Sequence, residues 1–504
     1  MMNVYTKKVD LSLDRDEFNQ KYGRKKSLST FTLGCKVNQY ETQALKEKFE
    51  KAGYEVVAEN AFADVYVINT CTVTSLSDKK SRQYIRRVKR INPDSITAVV
   101  GCYAQVSPAE AAGIEGVNIV AGTNEKNNLV SYIERYVSNH INGQGEQGGV
   151  QAETHIIPLE ELTQYEDTGT ITSMDSRVRA YIKVQEGCNR FCSYCMIPYA
   201  RGAVRSRRAS EIVEEAENLL HQGVKEIVLT GINTALYGME KDEKVTGQVD
   251  GEREETGKKG AERELYGIEV IVKLLNELPG DFRIRIGSLE PTVVNKAYAE
   301  RLLKYEKLCP HFHLSLQSGS DGIIKAMNRH YTGADYLDLV NMLRGKDACF
   351  GVTTDIIVGF PGETEENFKE SLRMVEQAKF LKVHSFKYSK RNGTVAAAMK
   401  GHLSPEVKQR RSKELEKVAT EVTKAFLLEN IESVRTLLVE RYDEKTGYYQ
   451  GYTENYIYVY CKPDVPPNDD EQGKEASLLN EFVKVTLKKL YKDGMMAIVQ
   501  HAVS

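Results

Sequence analysis

The sequence predicts an α/β protein in three parts: an N-terminal doubly wound parallel-sheet domain, a central partial (β/α)6 barrel and a small C-terminal β-barrel. Three observations predict it. Short, continuous apolar strands alternate with helices in two separate series, as in parallel sheets covered on both faces. A Gly/Gln-rich stretch, NGQGEQGGVQAE, parts the two series. From residue 433 onward the pattern changes to strand-like alternation with turn residues between the strands.

Taken in order, residues 1–28 read as a polar extension without a fold signal. The N-terminal domain spans 29–138. Its strands are STFTLGC, ADVYVINTC, SITAVVGC and VNIVAG, each followed by a helical pattern, and NQYETQALKEKFEKAG is amphipathic. Residues 139–178 read as a linker. Residues 179–403 hold the second series, with strands near YIKVQEG, EIVLTG, FRIRIGS, HFHLSLQS, VTTDIIVGF and KVHSFKYS. Six units are too few to close the eight-stranded form of such a barrel. Residues 240–265 interrupt the series with a charged stretch nearly devoid of large apolar residues, which reads as a disordered or mobile insertion. A connecting helix covers 404–432, with Ser404 at its N-cap and Pro405 at the first helical position. Residues 433–504 complete the chain with the small barrel.

The chain has 504 residues, enough for two to four domains with substantial cores. A net charge of −2 excludes a basic nucleic-acid coat, although local patches can still bind RNA. Two such patches stand out: KKSRQYIRRVKR at 79–90, and Arg201, Arg205, Arg207 and Arg208. Each also reads as a solvated helix face or loop. No apolar run reaches membrane-spanning length, and the first residues lack the apolar core of a signal peptide, so a cytoplasmic protein without membrane attachment is expected.

Nine cysteines in a chain of this kind argue against a disulfide framework and for metal or redox chemistry at any clustered set. Cys188, Cys192 and Cys195 follow the strand YIKVQEG, at the strand end where ligands gather in such folds. Three thiolates so close can hold three irons of a cubane and leave the fourth open. A zinc knuckle would need a fourth protein ligand, and no close Cys or His follows; His221 is distant. Cys35, Cys71 and Cys102 are far apart, yet TLGC, INTC and VVGC each end a predicted strand. Parallel strand ends lie along one edge, so these three are expected to meet. Each alone also reads as a small buried hydrophobe.

The C-x3-C-x2-C spacing after a barrel's first strand resembles the signature of radical S-adenosylmethionine (SAM) enzymes. That resemblance implies that SAM chelates the open iron and that reduction yields a 5′-deoxyadenosyl radical. It also implies that Tyr194 packs against the adenine, where core packing is the plainer reading. With Cys35, Cys71 and Cys102, the chain resembles the radical SAM methylthiotransferases over residues 29–504. That family carries two 4Fe–4S clusters, and its last, TRAM-like domain binds RNA. Gly34-Cys35-Lys36-Val37-Asn38-Gln39-Tyr40-Glu41-Thr42, NTCTVTSLSDKKSRQYIRR and MIPYARGAVRSRR are similar to the subfamily acting on tRNA threonylcarbamoyladenosine.

The resemblance implies transfer of a methylthio group to carbon 2 of that base beside the tRNA anticodon. The second cluster would handle sulfur and a further SAM would supply the methyl group. An electron donor such as flavodoxin or ferredoxin and a sulfur source are the further partners expected. For SAM it implies Gly231 and Asn233 after the second strand, Ser288 and Glu290 after the third, and Gln317 on the polar face His313, Ser315, Gln317. Glu290 reads equally as a salt-bridge partner, and the polar face equally as solvated. Arg201, Arg205, Arg207 and Arg208 would steer anticodon phosphates, and Lys488 and Lys489 would contact RNA among Tyr448, Tyr449, Tyr452, Tyr456 and Tyr458. Two alternatives stand beside this reading: methylthiolation of isopentenyladenosine or of a ribosomal protein, and a non-catalytic iron–sulfur RNA-binding sensor.

Overall fold

The computed structural model describes residues 9–72, 75–141, 152–171, 178–240, 265–462 and 478–500. Most of the insertion at 240–265 and of the Gly/Gln-rich stretch lies outside them.

In the N-terminal domain, β1 (Ser27–Thr32), β2 (Glu55–Val57), β3 (Val65–Thr70), β4 (Ile96–Gly101), β5 (Ile119–Ala121) and β6 (Glu153–His155) form one parallel sheet in the order β2-β1-β3-β4-β5-β6. β3 and β4 are buried along their whole length. Their side chains alternate between two cores: Val65, Val67, Ala98 and Val100 on one face, Tyr66, Ile68 and Val99 on the other. The order reverses between β1 and β3, and such a switch point opens a crevice beyond the strand ends.

Two expectations need correction. Within the range read as an extension, residues 9–28 are structured: Asp14 caps a helix at Arg15–Tyr22, and Phe18 and Leu11 join the domain's first core. Phe18 is the helix's one fully buried ring, with Tyr22 packed partly beside it, so the sequence carries almost no amphipathic signal. The segment 139–178 is more than a linker, because β6 adds an edge strand and Ile171 packs on Tyr40 and Ala44.

The central domain contains β7 (Arg179–Glu186), β8 (Arg205–Ser206), β9 (Glu226–Gly231), β10 (Arg283–Ile286), β11 (Ser288–Leu289), β12 (His311–Leu314), β13 (Gly351–Val358) and β14 (Lys382–Lys387). All six anticipated strands are present. The third breaks at Gly287 into β10 and β11, which divides the curled wall into two four-stranded sheets, β10-β9-β7-β8 and β11-β12-β13-β14. Ala180, Ile182 and Val184 of β7, with Val352, Ile356 and Val358 of β13, pack outward beneath the helices. By strand alternation Tyr181, Lys183, Thr353 and Asp355 face the lumen.

The other two domains close this lumen. The helix Lys36–Lys51 of the N-terminal domain lies along β7 at the barrel's open side. The helix Pro405–Glu429, capped by Ser404, leads to β15 (Val434–Asp443), β16 (Tyr448–Thr453), β17 (Tyr458–Lys462), β18 (Phe482–Tyr491) and β19 (Gly494–Val499), a closed barrel in the order β15-β16-β17-β19-β18. This small barrel floors the larger one: Arg283 donates to the Tyr452 carbonyl at 3.0 Å, and the Tyr456 ring lies 4.5 Å from that of His311. Among the described residues no helix is long and apolar enough to cross a membrane.

Candidate active site: two cysteine sets in adjoining domains

The loop after β7 is shaped by Gly187. Its φ of +72° and a Cβ position only 1.7 Å from the Ala203 carbonyl admit no other residue. Backbone bonds then fold the loop: the Cys188 N–H donates to Gly202 at 3.0 Å, Cys195 to Cys192 at 2.9 Å and Ser193 to Met327 at 3.0 Å. The Ala396 N–H donates to the Ser193 carbonyl at 2.7 Å and pins the loop from outside. Burial pushes the three thiols up, Cys188 to about 11 and Cys195 to about 12. Iron must displace those protons on binding. The buried Arg329 opposes burial at Cys192, with a guanidinium nitrogen 3.7 Å from its Sγ.

The second set forms at the switch point. Cys35, Cys71 and Cys102 directly follow β1, β3 and β4. A Cβ on Gly34 would lie 2.8 Å from the Cys71 Sγ, so the ends of β1 and β3 touch. Cys102 acts electrostatically on Cys35, and both interact with the buried Arg201. Burial raises the Cys35 thiol, the Arg201 charge opposing it. Cys71 and Cys102 are each 3% exposed, whereas Cys35 and the adjoining Lys36 keep open surface. Yet protein rings both closely enough that burial lowers Lys36 to about 8, with Arg179 and Arg285 adding to the fall. The Lys36 Nζ lies 5.5 Å over the ring of Tyr181, a lumen-facing residue of β7, so this open surface looks toward the barrel.

The arginines after the radical loop are put to another use than phosphate steering. Arg201, Arg205 and Arg207 are buried. Arg201 donates to Glu41 at 2.8 Å and to Asn38 at 2.8 Å, Arg205 to Glu186 at 3.1 Å, and Arg207 pairs with Glu215. Glu41 also receives Lys183 at 3.2 Å and Lys126 at 3.3 Å. Burial alone would raise the Glu41 carboxyl, but these three cations hold it well below the usual range. Glu41 thus welds the N-terminal domain to the barrel. Of the four arginines only Arg208 points outward, with its side chain 77% exposed.

Most of the remaining candidates sit at the ends of the barrel strands. Glu290 is buried and accepts from Asn233 Nδ2 at 2.8 Å and from Arg190 Nε at 2.9 Å, which ties the radical loop to the ends of the second and third strands. A Cβ on Gly231 would come within 2.9 Å of the Gln185 side chain. The Ser288 carbonyl accepts from Thr234 at 2.6 Å. Gln317 adopts a φ of +66° and bridges to β13. Tyr194 packs on Ile323, Met327, Phe360 and Tyr388. In the small barrel Lys489 is exposed, and Lys488 pairs with Glu432 at 2.7 Å. Arg329, Arg190 and the lumen-facing Asp355 and His384 carry no motif that marks them in the sequence.

The donors suit iron–sulfur clusters. Each set offers three thiols. Among the described residues no three cysteine sulfurs lie within 4.8 Å of one another. A tetrahedral zinc would draw them to about 3.8 Å, whereas three thiolates with a fourth position open are the donor set of a four-iron cube.

A curled parallel barrel with three cysteines in the loop after its first strand defines a radical SAM enzyme. Residues 182–375 match the Radical SAM superfamily, and residues 27–122 match a family described as Uncharacterized protein family UPF0004. The chain is 40% identical over 480 residues to the threonylcarbamoyladenosine tRNA methylthiotransferase MtaB of Bacillus subtilis, covering 93% of this chain and 96% of that one. It is 35% identical to the MtaB of Thermotoga maritima, covering 94% and 96%. It is also 32% identical to the tRNA-2-methylthio-N(6)-dimethylallyladenosine synthase of Alkaliphilus oremlandii, covering 81% and 82%. The radical SAM methyltransferase TsrM of Kitasatospora setae shares the fold with a TM-score of 0.51 at 14% identity, covering 74% and 77%. The chain belongs to the radical SAM methylthiotransferase family, and its cofactors are 4Fe–4S clusters and SAM.

Proposed function

We propose that the chain transfers a methylthio group to carbon 2 of N6-threonylcarbamoyladenosine beside the tRNA anticodon. What supports this reading is one three-cysteine set in the loop after β7 and another after β1, β3 and β4, in domains joined through Arg201 and Glu41, in a chain 40% identical to a relative bearing that activity in its name.

In this reading Cys188, Cys192 and Cys195 hold the radical cluster and Cys35, Cys71 and Cys102 hold the second. When bound, the radical cluster and SAM supply the 5′-deoxyadenosyl radical that removes an inert aromatic hydrogen, chemistry beyond any side-chain base. The chain's own residues position and enclose. Gly231, Asn233, Ser288, Glu290 and Gln317 line the SAM side, with Glu290 holding Asn233 and Arg190 in place. Tyr194 packs against the adenine. The N-terminal domain and the small barrel keep water from the reacting space. Arg208, Lys488 and Lys489 contribute phosphate contacts, and the base comes from a single-stranded loop, so little unpairing energy opposes its entry. A flavodoxin- or ferredoxin-type donor supplies electrons, a separate source supplies sulfur, and the setting is the cytoplasm.

Mass spectrometry of tRNA nucleosides from a deletion strain tests the reading. The methylthio derivative of threonylcarbamoyladenosine should disappear. Loss of the isopentenyladenosine derivative instead would assign the other tRNA substrate.

A further inference from the structure

The lumen beneath the radical loop has a polar wall that neither cysteine set explains. His313, Asp355 and His384 lie on the neighbouring strands β12, β13 and β14, with Asp355 in register with His384. Their ligand atoms all fall within 4.8 Å of one another, and each residue is half-buried. His313 is already committed, with Nδ1 3.0 Å from Thr353 Oγ1 and Nε2 3.2 Å from Asp355 Oδ2. The His384 ring lies within the same 4.8 Å of Asp355, and among the described residues no hydrogen bond reaches its nitrogens.

Lys36 enters the same space from the N-terminal domain. Its charge acts on both His384 and His311, and its Nζ lies 5.5 Å over the Tyr181 ring. The neighbouring cations are already paired: Arg179 and Arg283 with Glu226 at 2.5 and 2.6 Å, Arg285 with Glu226 at 3.1 Å. Among the described residues no carboxylate comes within ion-pair reach of Lys36. A cation without a carboxylate partner, facing the lumen near an imidazole that lies within 4.8 Å of an aspartate, suits an anion with further polar groups.

We propose that Lys36 and His384 form the subsite for the side chain on N6 of the substrate base, Lys36 pairing with its carboxylate and His384, beside Asp355, bonding the polar groups next to it. This rests on the threonylcarbamoyl reading above. That side chain carries a carboxylate, a hydroxyl and a urea. An isopentenyl chain carries none of these and would leave Lys36, Asp355 and His384 facing hydrocarbon, an arrangement that rejects the wrong substrate strongly.

The test uses reconstituted holoenzyme and two tRNAs: one bearing threonylcarbamoyladenosine, and the same tRNA with that carboxylate coupled to methylamine. The wild type should favour the free carboxylate by about 10- to 100-fold in kcat/KM. Lys36→Met should bring the two within about 2-fold, mainly through KM. Lys36→Arg should restore much of the preference, and His384→Phe should weaken it less than Lys36→Met. Each variant is judged by its own ratio, so a general loss of iron or of fold cannot mimic the result. Equal wild-type rates, or an unchanged ratio in Lys36→Met, overturn the subsite. No wild-type product on either tRNA overturns the parent reading instead. A stoichiometric non-iron metal that His384→Phe removes would assign His313, Asp355 and His384 to a metal and overturn the role given to His384.

Discussion

Cys188, Cys192 and Cys195 share one loop, and their geometry is set by near neighbours, whereas Cys35, Cys71 and Cys102 end three strands and meet only when the sheet has formed. Each set has one buried guanidinium beside it, but of different origin. Arg329, at Cys192, belongs to the same barrel. Arg201, near Cys35 and Cys102, comes from the other domain and is held by Glu41. The radical site is therefore complete within the central domain, while the second site depends on the seam between domains. The two should fail separately at the cysteines and together only when the seam fails.

The most severe test removes one ligand from each set. Cys192→Ala should abolish SAM cleavage. Cys71→Ala should leave SAM cleavage without tRNA intact and abolish methylthio transfer. Reconstituted iron should fall from about eight to about four per chain in either variant. If Cys71→Ala also stops SAM cleavage, the two sites are not separable and the comparison breaks.

Glu41→Gln attacks the seam. It leaves Arg201, Lys183 and Lys126 buried against a neutral amide, which should cost about 3–5 kcal/mol in chemical denaturation at pH 7. The Glu41 carboxyl is held below its unfolded value, so its contribution is fully present above about pH 4.5 and fades as pH falls further. The gap between variant and wild type should therefore narrow on acidification. Iron at the second set should fall before iron at the first. Equal loss from both would mean that the radical loop depends on the seam as well.

The same contrast explains what was legible in the sequence. The radical loop was readable because its spacing is local. The second set was readable at one remove, because strand ends in a parallel sheet share an edge. The seam was not readable. Arg201, Arg205 and Arg207 look like surface cations, and only distant carboxylates, Glu41, Glu186 and Glu215, bury them. Lys36 stood inside the GCK motif, but its exposure to the lumen depends on how two domains meet. Arg329 has no spacing relation to Cys192 and becomes visible only through the 3.7 Å contact. The helix at Arg15–Tyr22 fully buries only Phe18, with Tyr22 packed partly beside it, too little for periodicity to register.

A milder substitution sharpens the comparison at the clusters. Arg329→Met removes a cation beside a cluster ligand, and reduction adds negative charge there. The radical cluster's midpoint should fall by on the order of tens of millivolts, while the second cluster stays unchanged. A redox titration followed by electron paramagnetic resonance reads both. A shift at the second cluster would show that Arg329 acts across the lumen rather than on Cys192.

The smallest effect separates two neighbours in one basic run. Arg208 is solvent-exposed and lies 4.0 Å from Glu211, whereas Arg207 is buried against Glu215. Arg208→Ala should change stability by no more than about 0.5 kcal/mol. It should weaken tRNA binding modestly and reduce the slope of log affinity against log salt by about one. Arg207→Ala should instead leave Glu215 buried without its cation and cost about 3–5 kcal/mol of stability. Nothing in the spacing of these two arginines distinguishes them, so the outcome measures burial alone. A stable Arg207→Ala protein defective only in tRNA binding would return the whole run to phosphate steering.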